Sequence, residues 1–452
     1  ALGPPPTIFA LASASGRAGV AVVRVSGPRA RNALAGLMEE RGELRQIVPR
    51  RMVCSTLKDP ATGEILDNGL IIWFPGPASF TGEDVVELHL HGGTAVLSGV
   101  LDALIKMDGL RIAEPGEFTR RAFEHGKMDL TAAEGLADLI EAETVVQRRQ
   151  ALRQLEGELG QVYESWRQRL LGALAHSEAA IDFSDEDLPK DIEAAALLEV
   201  SSLEREITNH LMDKRRGEKL RSGALITIIG PPNAGKSSLL NLLAKRDVAI
   251  VSEIAGTTRD VIEVHLDLGG YPVIFADTAG LHNTRNSIEI EGMRRARRKA
   301  EDADLKLAVF DIGDWLDPDP TTLGLIDADT LIVLNKSDLQ ATKPPLTFKG
   351  NAVFVVSAWS GDGIENLMDV ITDRVVGMMG VGASPALTRI RHREALEDCR
   401  SALGRCLKGP GLASELAAED LRMATRHLGR ITGQVDVDDV LDFIFQNFCI
   451  GK

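Results

Sequence analysis

The sequence has few cysteines and no long apolar run, and both absences narrow the classes of protein that it can encode. The four cysteines are Cys54, Cys399, Cys406 and Cys449. None shows Cys-x-x-Cys spacing, which argues against a zinc site of paired cysteines and against a disulfide framework. No stretch approaches the roughly 18 apolar residues that span a bilayer, and the first residues lack the charged and apolar regions of a signal peptide. We therefore expect a cytoplasmic protein with no membrane association.

A broad positive charge is also missing. The chain carries 51 lysines and arginines against 66 acidic residues, a formal net charge of −15, so it lacks the general basic surface of a non-specific nucleic-acid binder. Any contact with RNA would need a local basic patch or a partner. Two clusters could form such a basic patch, DKRRGEKLR at 213–221 and RRARRK at 294–299, although many such runs are only solvated helix faces.

The hydrophobic pattern changes along the 452 residues, which suggests several domains. Residues 1–123 mix short β-rich runs with helical patches, as in an α+β domain. Residues 124–216 have apolar positions three and four apart and predict long amphipathic helices. In residues 217–380 apolar strands alternate with helices, which is typical of a mostly parallel α/β sheet. Residues 381–452 are helical again, so the α/β block is predicted to be an insertion in a helical domain.

A phosphate-binding loop is predicted where GPPNAGKSS follows the first strand of the α/β block and precedes a helix. The glycines let backbone N–H groups converge on phosphate oxygens, and the helix N-terminus adds positive potential. Lys236 is predicted to reach the β- and γ-phosphates, and Ser237 to bind Mg²⁺. The predicted nucleotide contacts here are Asn233, Ala234, Gly235, Lys236, Ser237 and Ser238.

A guanine-binding motif is predicted at NKSD, which follows a later apolar strand. The Asp338 carboxylate can accept hydrogen bonds from N1–H and the N2 amino group of guanine, whereas adenine would leave it unpaired. SAW follows the next strand, where a backbone N–H can contact the guanine oxygen. The predicted base contacts are Asn335, Lys336, Asp338, Ser357, Ala358 and Trp359.

Two further segments, GTTRD and DTAG, complete the set of motifs of a GTPase. Thr257 or Thr258 is expected to complete the Mg²⁺ shell, and Asp277 to close it through water. The predicted nucleotide contacts in this region are Ser252, Thr257, Thr258, Asp277, Thr278, Ala279 and Gly280. The residue after DTAG is Leu281, which cannot orient the attacking water as the Gln at this place does in Ras.

Together these five motifs resemble the TrmE–Era–EngA class of translation-associated GTPases. The flanking segments GRAGVAVVRVSG, FTGEDVVELHLHGG, PGEFTRRAFEHGKMDL and the terminal FCIGK narrow the resemblance to the MnmE (TrmE) family of tRNA modification GTPases. It covers essentially the whole chain. It implies a multidomain α/β + α protein, with an N-terminal α+β folate-binding domain, a discontinuous helical domain and an inserted Ras-like P-loop G domain.

The resemblance also implies a K⁺-activated GTPase that works in tRNA modification with the FAD-containing partner MnmG. The pair would add a carboxymethylaminomethyl or aminomethyl group at C5 of the wobble uridine of certain tRNAs. The chain would form a homodimer through its N-terminal domains and a heterotetramer with the partner. GTP would be the substrate, and Mg²⁺, K⁺ and a one-carbon tetrahydrofolate derivative the cofactors, with FAD held by the partner.

The same resemblance suggests how hydrolysis proceeds without a Gln. A bound K⁺ would supply the charge that an arginine finger gives other GTPases. Its implied ligands are the Asn233 side chain and the backbone carbonyls of Ser252, Ile254 and Thr257. Thr258 joins Ser237 on Mg²⁺. Glu289 is the predicted catalytic residue that orients the water, with Glu291 as second candidate.

A folate site is implied by Arg24, Glu87 and Lys127, which match folate-contacting positions of the family. A carboxylate can pair with the amino–imino edge of a pterin, and the cations can meet polar or anionic parts of the cofactor. Lys452, including its terminal carboxylate, is a further implied contact. Cys449 is either a reactive thiol or a buried structural one.

Two other functions stay open. A ribosome-assembly switch would carry an RNA-binding module after the G domain, where this chain has helices. A folate-dependent one-carbon transferase, with a G domain that only regulates it, would act without a flavoprotein and would not depend on GTP hydrolysis.

Overall fold

The computed structural model describes most of the chain. The described residues are 5–38, 47–182, 190–246, 262–277, 298, 300–339, 345–380, 385–409, 411–412, 414–435, 438–446 and 448–451. They form two compact units. The first comprises residues 1–137, 155–167 and 428–452, and the second residues 138–154 and 168–427. The domain boundaries at residues 123, 216 and 380 stay predictions.

The first unit contains a six-stranded sheet in the order β3-β4-β5-β2-β1-β6. Its strands are β1 (Thr7–Leu11), β2 (Ala18–Ser26), β3 (Val53–Lys58), β4 (Ile65–Phe74), β5 (Val85–Gly92) and β6 (Leu110–Ile112). All pairings are antiparallel except that of β1 with β6. Alternate residues of β2 and β5, among them Val23 and Leu88, pack into a buried core. The residues between them, including Arg24 and Glu87, face the other side of the sheet.

The second unit contains a seven-stranded sheet in the order β12-β13-β11-β10-β7-β9-β8. Its strands are β7 (Ala224–Ile229), β8 (Ile262–Leu268), β9 (Tyr271–Asp277), β10 (Leu305–Asp311), β11 (Thr330–Asn335), β12 (Thr347–Phe348) and β13 (Asn351–Val355). The five central strands are parallel, and β8 and β12 pair antiparallel at the edges. β11 is buried along its whole length, as expected for a strand covered on both faces.

Helices account for most of the remaining described chain. They are α1 (Ala30–Leu37), α2 (Thr94–Ile105), α3 (Glu117–Glu124), α4 (Leu130–Glu141), α5 (Val145–Leu155), α6 (Glu158–Asp182), α7 (Lys190–Leu211), α8 (Arg216–Ser222), α9 (Lys236–Arg246), α10 (Pro320–Leu323), α11 (Ile364–Met379), α12 (Ile390–Lys408), α13 (Glu415–Thr432) and α14 (Asp438–Gln446). None of those in the described ranges is long and apolar enough to cross a membrane. The combination of a mixed α/β sheet with long helices agrees with the predicted mixed fold class.

Candidate nucleotide site

The parallel strands of the second unit bring three of the predicted motifs to one edge of the sheet. β7 ends at Ile229, directly before the phosphate loop, and β11 ends at Asn335, the first residue of NKSD. β13 ends at Val355, just before SAW. Because parallel strands present their carboxyl ends at the same edge, ligands of such sheets bind there. The strand order therefore assembles motifs that lie far apart in the sequence.

Two glycines allow the backbone of the phosphate loop to pass close to neighbouring segments. Gly230 has φ +154°, and a Cβ there would lie 2.2 Å from the carbonyl oxygen of Val309. Gly235 has φ +91°, and its Cβ would lie 2.1 Å from Nδ2 of Asn335. Neither distance is compatible with a side chain, so the loop must approach β10 and NKSD with bare backbone. Asn233, inside the loop, also has a positive φ of 64°.

Lys236, at the first position of α9, turns its ammonium group back onto the loop. Nζ donates hydrogen bonds of 2.8 Å to the carbonyl oxygens of Gly230 and Pro231, and the residue is 4% exposed. Burial lowers the pKa of Lys236, an effect that the Asp277 and Asp319 carboxylates oppose. The ammonium group is thus held at the loop that is predicted to enclose the phosphates.

Ser237 and Asp277, both predicted to lie near Mg²⁺, contact each other. The Ser237 hydroxyl donates to Oδ2 of Asp277 over 2.7 Å, and Asp277, at the end of β9, is 1% exposed. A hydroxyl and a carboxylate beside a phosphate loop are the hard oxygen ligands that Mg²⁺ prefers, together with phosphate oxygens and water. These two residues therefore fit the ion.

Asn335 joins the guanine motif to the phosphate loop. Its Nδ2 donates to the carbonyl oxygen of Ala234 and its Oδ1 accepts from the backbone N–H of Ala358, both over 2.9 Å. The side chain is buried. One amide thus connects the loop, NKSD and SAW, which were predicted as separate nucleotide contacts.

The Asp338 carboxylate is positioned by Ser357. The Ser357 hydroxyl donates to Oδ1 of Asp338 over 2.5 Å and accepts from the backbone N–H groups of Trp359 and Ser360. This arrangement fixes the orientation of the acceptor predicted to bind guanine. The Trp359 side chain is 90% exposed.

Asp311, at the end of β10, pairs with a predicted site residue, and the sequence analysis did not select it. Its Oδ2 accepts a 2.7 Å hydrogen bond from Nζ of Lys336, whose backbone has φ 65°. Burial would raise the pKa of Asp311, but hydrogen bonds from Lys336 and the Gly313 amide hold it below its usual range. The only signal in the sequence was an acid at the end of an apolar strand, which resembles many surface turns.

Several predicted site residues lie outside the described residues. They are Ser252, Ile254, Thr257, Thr258, Thr278, Ala279, Gly280, Glu289, Glu291 and Lys452. Their predicted roles in nucleotide, Mg²⁺, K⁺ and folate binding and in catalysis stay predictions.

In the first unit, the sheet register pairs two of the predicted folate contacts. Arg24 on β2 lies opposite Glu87 on β5, and its Nε and Nη2 donate to Oε1 of Glu87 over 3.1 and 2.9 Å. The Arg24 guanidinium lies 5.3 Å from the ring centroid of Phe80 and 5.8 Å from that of Phe118. The third predicted contact, Lys127, donates to the carbonyl oxygen of Pro77 over 2.7 Å.

The loop of residues 76–84, which carries Phe80, is held by α3 and the turn that follows it. Arg121 donates to both carboxylate oxygens of Glu83 over 3.1 and 3.0 Å, and also to Glu117. His125 Nδ1 lies 2.7 Å from the carbonyl oxygen of Thr81. Burial would raise the pKa of Glu117, but hydrogen bonds from Arg111, the Glu114 amide and Arg121 hold it below its usual range. The sequence analysis did not select this network.

A phosphate loop, a hydroxyl–carboxylate pair suited to Mg²⁺ and a positioned guanine acceptor, all on one edge of a mostly parallel sheet, define a P-loop GTPase. The comparisons with known proteins narrow this class. A model described as the MnmE helical domain matches residues 130–449, and one described as the GTP-binding protein TrmE N-terminus matches residues 7–127.

Relatives match along the whole chain. The tRNA modification GTPase MnmE of Paramagnetospirillum magneticum is 55% identical over 446 residues, with 99% of each chain covered. The human mitochondrial 5-taurinomethyluridine-[tRNA] synthase subunit GTPB3 is 48% identical, with 99% of this chain and 93% of the relative covered. Among solved structures, the G domain of the T. maritima FeoB iron transporter is 25% identical and covers 34% of this chain and 98% of its own, at a TM-score of 0.26.

This chain belongs to the MnmE (TrmE) family of tRNA modification GTPases, as the sequence motifs predicted. It is accordingly a GTP hydrolase of tRNA modification.

Proposed function

We propose that the chain is a K⁺-activated GTPase that acts with a FAD-containing partner, MnmG, on the wobble uridine of certain tRNAs. The product would be a carboxymethylaminomethyl or aminomethyl group at C5. GTP hydrolysis would drive G-domain dimerisation and a conformational cycle within a cytoplasmic homodimer, which the partner extends to a heterotetramer. The observation that carries the proposal is the Asn335 amide, which links a phosphate loop to a guanine motif in a chain whose relatives modify tRNA.

The names of the relatives support a uridine target and a partner. The bacterial relative is a tRNA modification GTPase, and the human relative is a subunit of a 5-taurinomethyluridine-[tRNA] synthase. A synthase subunit works with at least one other chain. We infer the same arrangement here, with the redox chemistry carried by the FAD of the partner.

For hydrolysis, Lys236 would bind the β- and γ-phosphates, and Ser237, Thr258 and Asp277 would hold Mg²⁺ directly or through water. The Asn233 side chain, with carbonyl oxygens of Ser252, Ile254 and Thr257, would hold K⁺ against the phosphates. A fixed cation there stabilises the charge that develops during phosphoryl transfer, as an arginine finger does. Glu289 would orient the attacking water.

For the one-carbon folate, the paired charges on the face of the first sheet that lies opposite Val23 and Leu88 fit a flat heterocycle with a polar edge. Glu87 can accept from an amino–imino edge, and Arg24 can donate to a carbonyl or carboxylate. Phe80 provides an aromatic face within 5.3 Å of the Arg24 guanidinium. Lys127 and Lys452 would complete the site.

The central test replaces the guanine acceptor in cells. Asp338→Asn would be expressed in place of the native chain, and the nucleosides of hydrolysed tRNA would be measured by mass spectrometry. We expect the C5-modified wobble uridine to be lost and its unmodified precursor to accumulate. Asp373→Asn is the matched control, because Asp373 is exposed on α11 of the same unit. Unchanged wobble uridines in the Asp338 variant would refute the proposal.

A second test concerns the catalytic step. Single-turnover hydrolysis of GTP would be measured in KCl and in NaCl for the unaltered chain and for Glu289→Ala. We expect the variant to bind GTP normally and to lose most of the K⁺-stimulated rate. An undiminished rate in KCl would remove Glu289 from the mechanism, and equal rates of the unaltered chain in both salts would remove K⁺.

A further inference from the structure

One turn of the second unit concentrates exposed positive charge in an otherwise acidic protein. It lies between α7 and α8 and contains Lys214 and Arg215; with Arg216, the first residue of α8, these residues are all exposed. We call these three residues the basic turn. The whole chain carries a formal net charge of −15, so a polyanion can bind favourably only where the local charge is positive.

The acidic residues beside the basic turn are already paired with a buried arginine. Arg393 of α12 is 9% exposed, and it donates to Asp213 and to Glu218, in each case over 2.7 Å. It also donates to the carbonyl oxygen of Leu211 over 2.9 Å. The two carboxylates that would otherwise neutralise the basic turn are therefore compensated from inside the protein.

The positive charges of the three exposed side chains are only weakly compensated by carboxylates, so they can contact a ligand. Arg215 lies 3.7 Å from Glu218, a long contact at a side chain that is 66% exposed, and such surface pairs contribute little. In the part of the chain that the structure describes, no ion pair joins Lys214 or Arg216 to a carboxylate. Arg393 and the basic turn together supply four positive charges against the two negative charges of Asp213 and Glu218.

The backbone of the basic turn is held in a conformation that its residues do not favour. Lys214 has φ 55° and Arg215 has φ 59°, a left-handed conformation in which Cβ crowds the backbone of residues other than glycine. The Asp213 carboxylate accepts from the Arg215 amide over 3.0 Å, and the Asp213 carbonyl accepts from the Arg216 amide over 3.2 Å. Strain maintained by surrounding contacts is a feature of functional segments. The backbone from which the three cations project is therefore held in a defined conformation.

We propose that the basic turn contacts the sugar–phosphate backbone of the tRNA substrate. This inference rests on the proposed function, which supplies the tRNA, and it adds a surface that binds it. Lysine and arginine contacts to phosphates position a nucleic acid without reading its sequence. That suits a protein that must hold several tRNAs. Met212, 69% exposed beside the basic turn, offers an apolar contact for a ribose or base.

The test removes the positive charges of the basic turn and keeps its backbone conformation. Lys214→Asn, Arg215→Asn and Arg216→Gln are combined in one variant, because asparagine tolerates the left-handed region better than other non-glycine residues. The full-length chain is titrated with an unmodified tRNA transcript at several KCl concentrations. We expect Kd to rise roughly tenfold or more at 0.15 M salt. The slope of log K against log salt should become shallower by about 2, since each phosphate contact contributes about 0.7–0.9.

A matched control removes the same charge elsewhere. Arg149→Gln, Arg374→Gln and Lys408→Gln are combined, because these three cations are exposed and scattered over the same unit. The control should bind tRNA with nearly the slope and affinity of the unaltered chain. Neither variant should lower the thermal midpoint or change the rate of GTP hydrolysis.

Three results would overturn the inference. They are an unaltered Kd and slope in the basic-turn variant, an equal loss in the control, and no measurable tRNA binding by the unaltered chain. Loss of binding to the flavoprotein with unchanged tRNA binding would assign the surface to an acidic protein partner instead. The proposed function is judged separately, by the wobble uridines of the Asp338→Asn cells.

Discussion

The nucleotide edge of the second unit and the Arg24–Glu87 pair of the first show two ways of building a site. At the nucleotide edge, each functional group belongs to a short motif, and the motifs are then tied together by Asn335 and Ser357. Arg24 and Glu87 lie 63 residues apart in sequence and meet only through the register of β2 and β5. The first site can be recognised from its sequence motifs, whereas the second is formed only when the two strands pair.

The two sites also differ in burial. Lys236, Asp277 and Asn335 are at most 4% exposed, whereas the side chains of Arg24 and Glu87 are 20% and 18% exposed. A charge deprived of its partner costs more where water is excluded. Substitutions of these three buried residues should therefore have larger effects on stability than substitutions at the Arg24–Glu87 pair.

The largest effect is expected for Asp338→Asn. The loss of a positioned carboxylate should weaken GTP binding by about 2–5 kcal/mol, which is roughly thirtyfold to a few thousandfold in Kd. An asparagine offers one acceptor and one donor, which match the N1–H and O2 of xanthine. Isothermal titration with GTP and XTP should show a reversed preference. A variant that keeps its preference for GTP would remove Asp338 from base recognition.

The second prediction tests the link between the phosphate loop and the guanine motif. Gly235→Ala places a Cβ 2.1 Å from Nδ2 of Asn335, whereas Gly361→Ala, at a similar φ of 86°, meets no described heavy atom within 4 Å. Both substitutions place an alanine at a positive φ, so both lose a similar amount of stability from backbone strain. The additional loss in the Gly235 variant should be about 1–3 kcal/mol of unfolding free energy, measured by urea denaturation. Equal losses would show that the close approach is unimportant.

The third prediction concerns the Arg24–Glu87 pair. Arg24→Met keeps an unbranched apolar stem and removes the charged donors, so binding of a one-carbon tetrahydrofolate should weaken by about 1.5–2 kcal/mol. Fluorescence titration would measure this, with Arg51→Met as the control because Arg51 is exposed. Unchanged affinity would reduce Arg24 to a structural partner of Glu87.

The last prediction concerns folding stability rather than ligand binding, and it is made at the buried Glu117. Its pKa is lowered in the folded state, so the ionised carboxylate stabilises the fold above its ordinary pKa of 4.5. That contribution is lost as the pH falls through the lower, folded pKa. Glu117→Gln should cost about 1.5–3 kcal/mol at pH 7, because charge-assisted hydrogen bonds are lost, and the difference should shrink below pH 4.5.

Glu124→Gln is the control for this measurement, because Glu124 forms an exposed pair with Arg120 on the same helix. It should change the stability by less than about 0.5 kcal/mol. Thermal unfolding followed by circular dichroism at pH 7 and at pH 3.5 measures both variants. A Glu117 variant whose deficit grows on acidification would contradict the assigned direction of the pKa.

Much of the nucleotide site could be predicted because its chemistry demands particular residues at fixed spacing. GPPNAGKSS and NKSD each fit within one loop, so local sequence was enough to select Lys236 and Asp338. The bracing role of Asn335 could not be predicted, since it depends on the approach of Ala234 and Ala358 from the loops that follow two other strands. Asp311 was overlooked for the same reason, because its partner Lys336 comes from another strand end.

The folate positions and the supporting network illustrate the opposite case. Arg24 and Glu87 were selected only through the family resemblance, because an isolated charge on a strand has no local signature. The pairing of Arg121 with Glu83 joins residues 38 positions apart, and nothing in either neighbourhood indicates it. The same holds for the basic turn, which was visible as a charge cluster but not as a strained segment with its acids paired to Arg393.

The amino-acid sequence by itself determined the family, the order of the motifs, the nucleotide and the alternation of strands and helices. These features follow from the local spacing of residues, from the hydrophobic period and from glycines at positions where the backbone path allows no side chain. The tertiary structure decided which side chains meet, which charges remain exposed and how each acceptor is oriented. Those properties depend on strand order, on register and on burial, which arise from contacts between residues far apart in the chain.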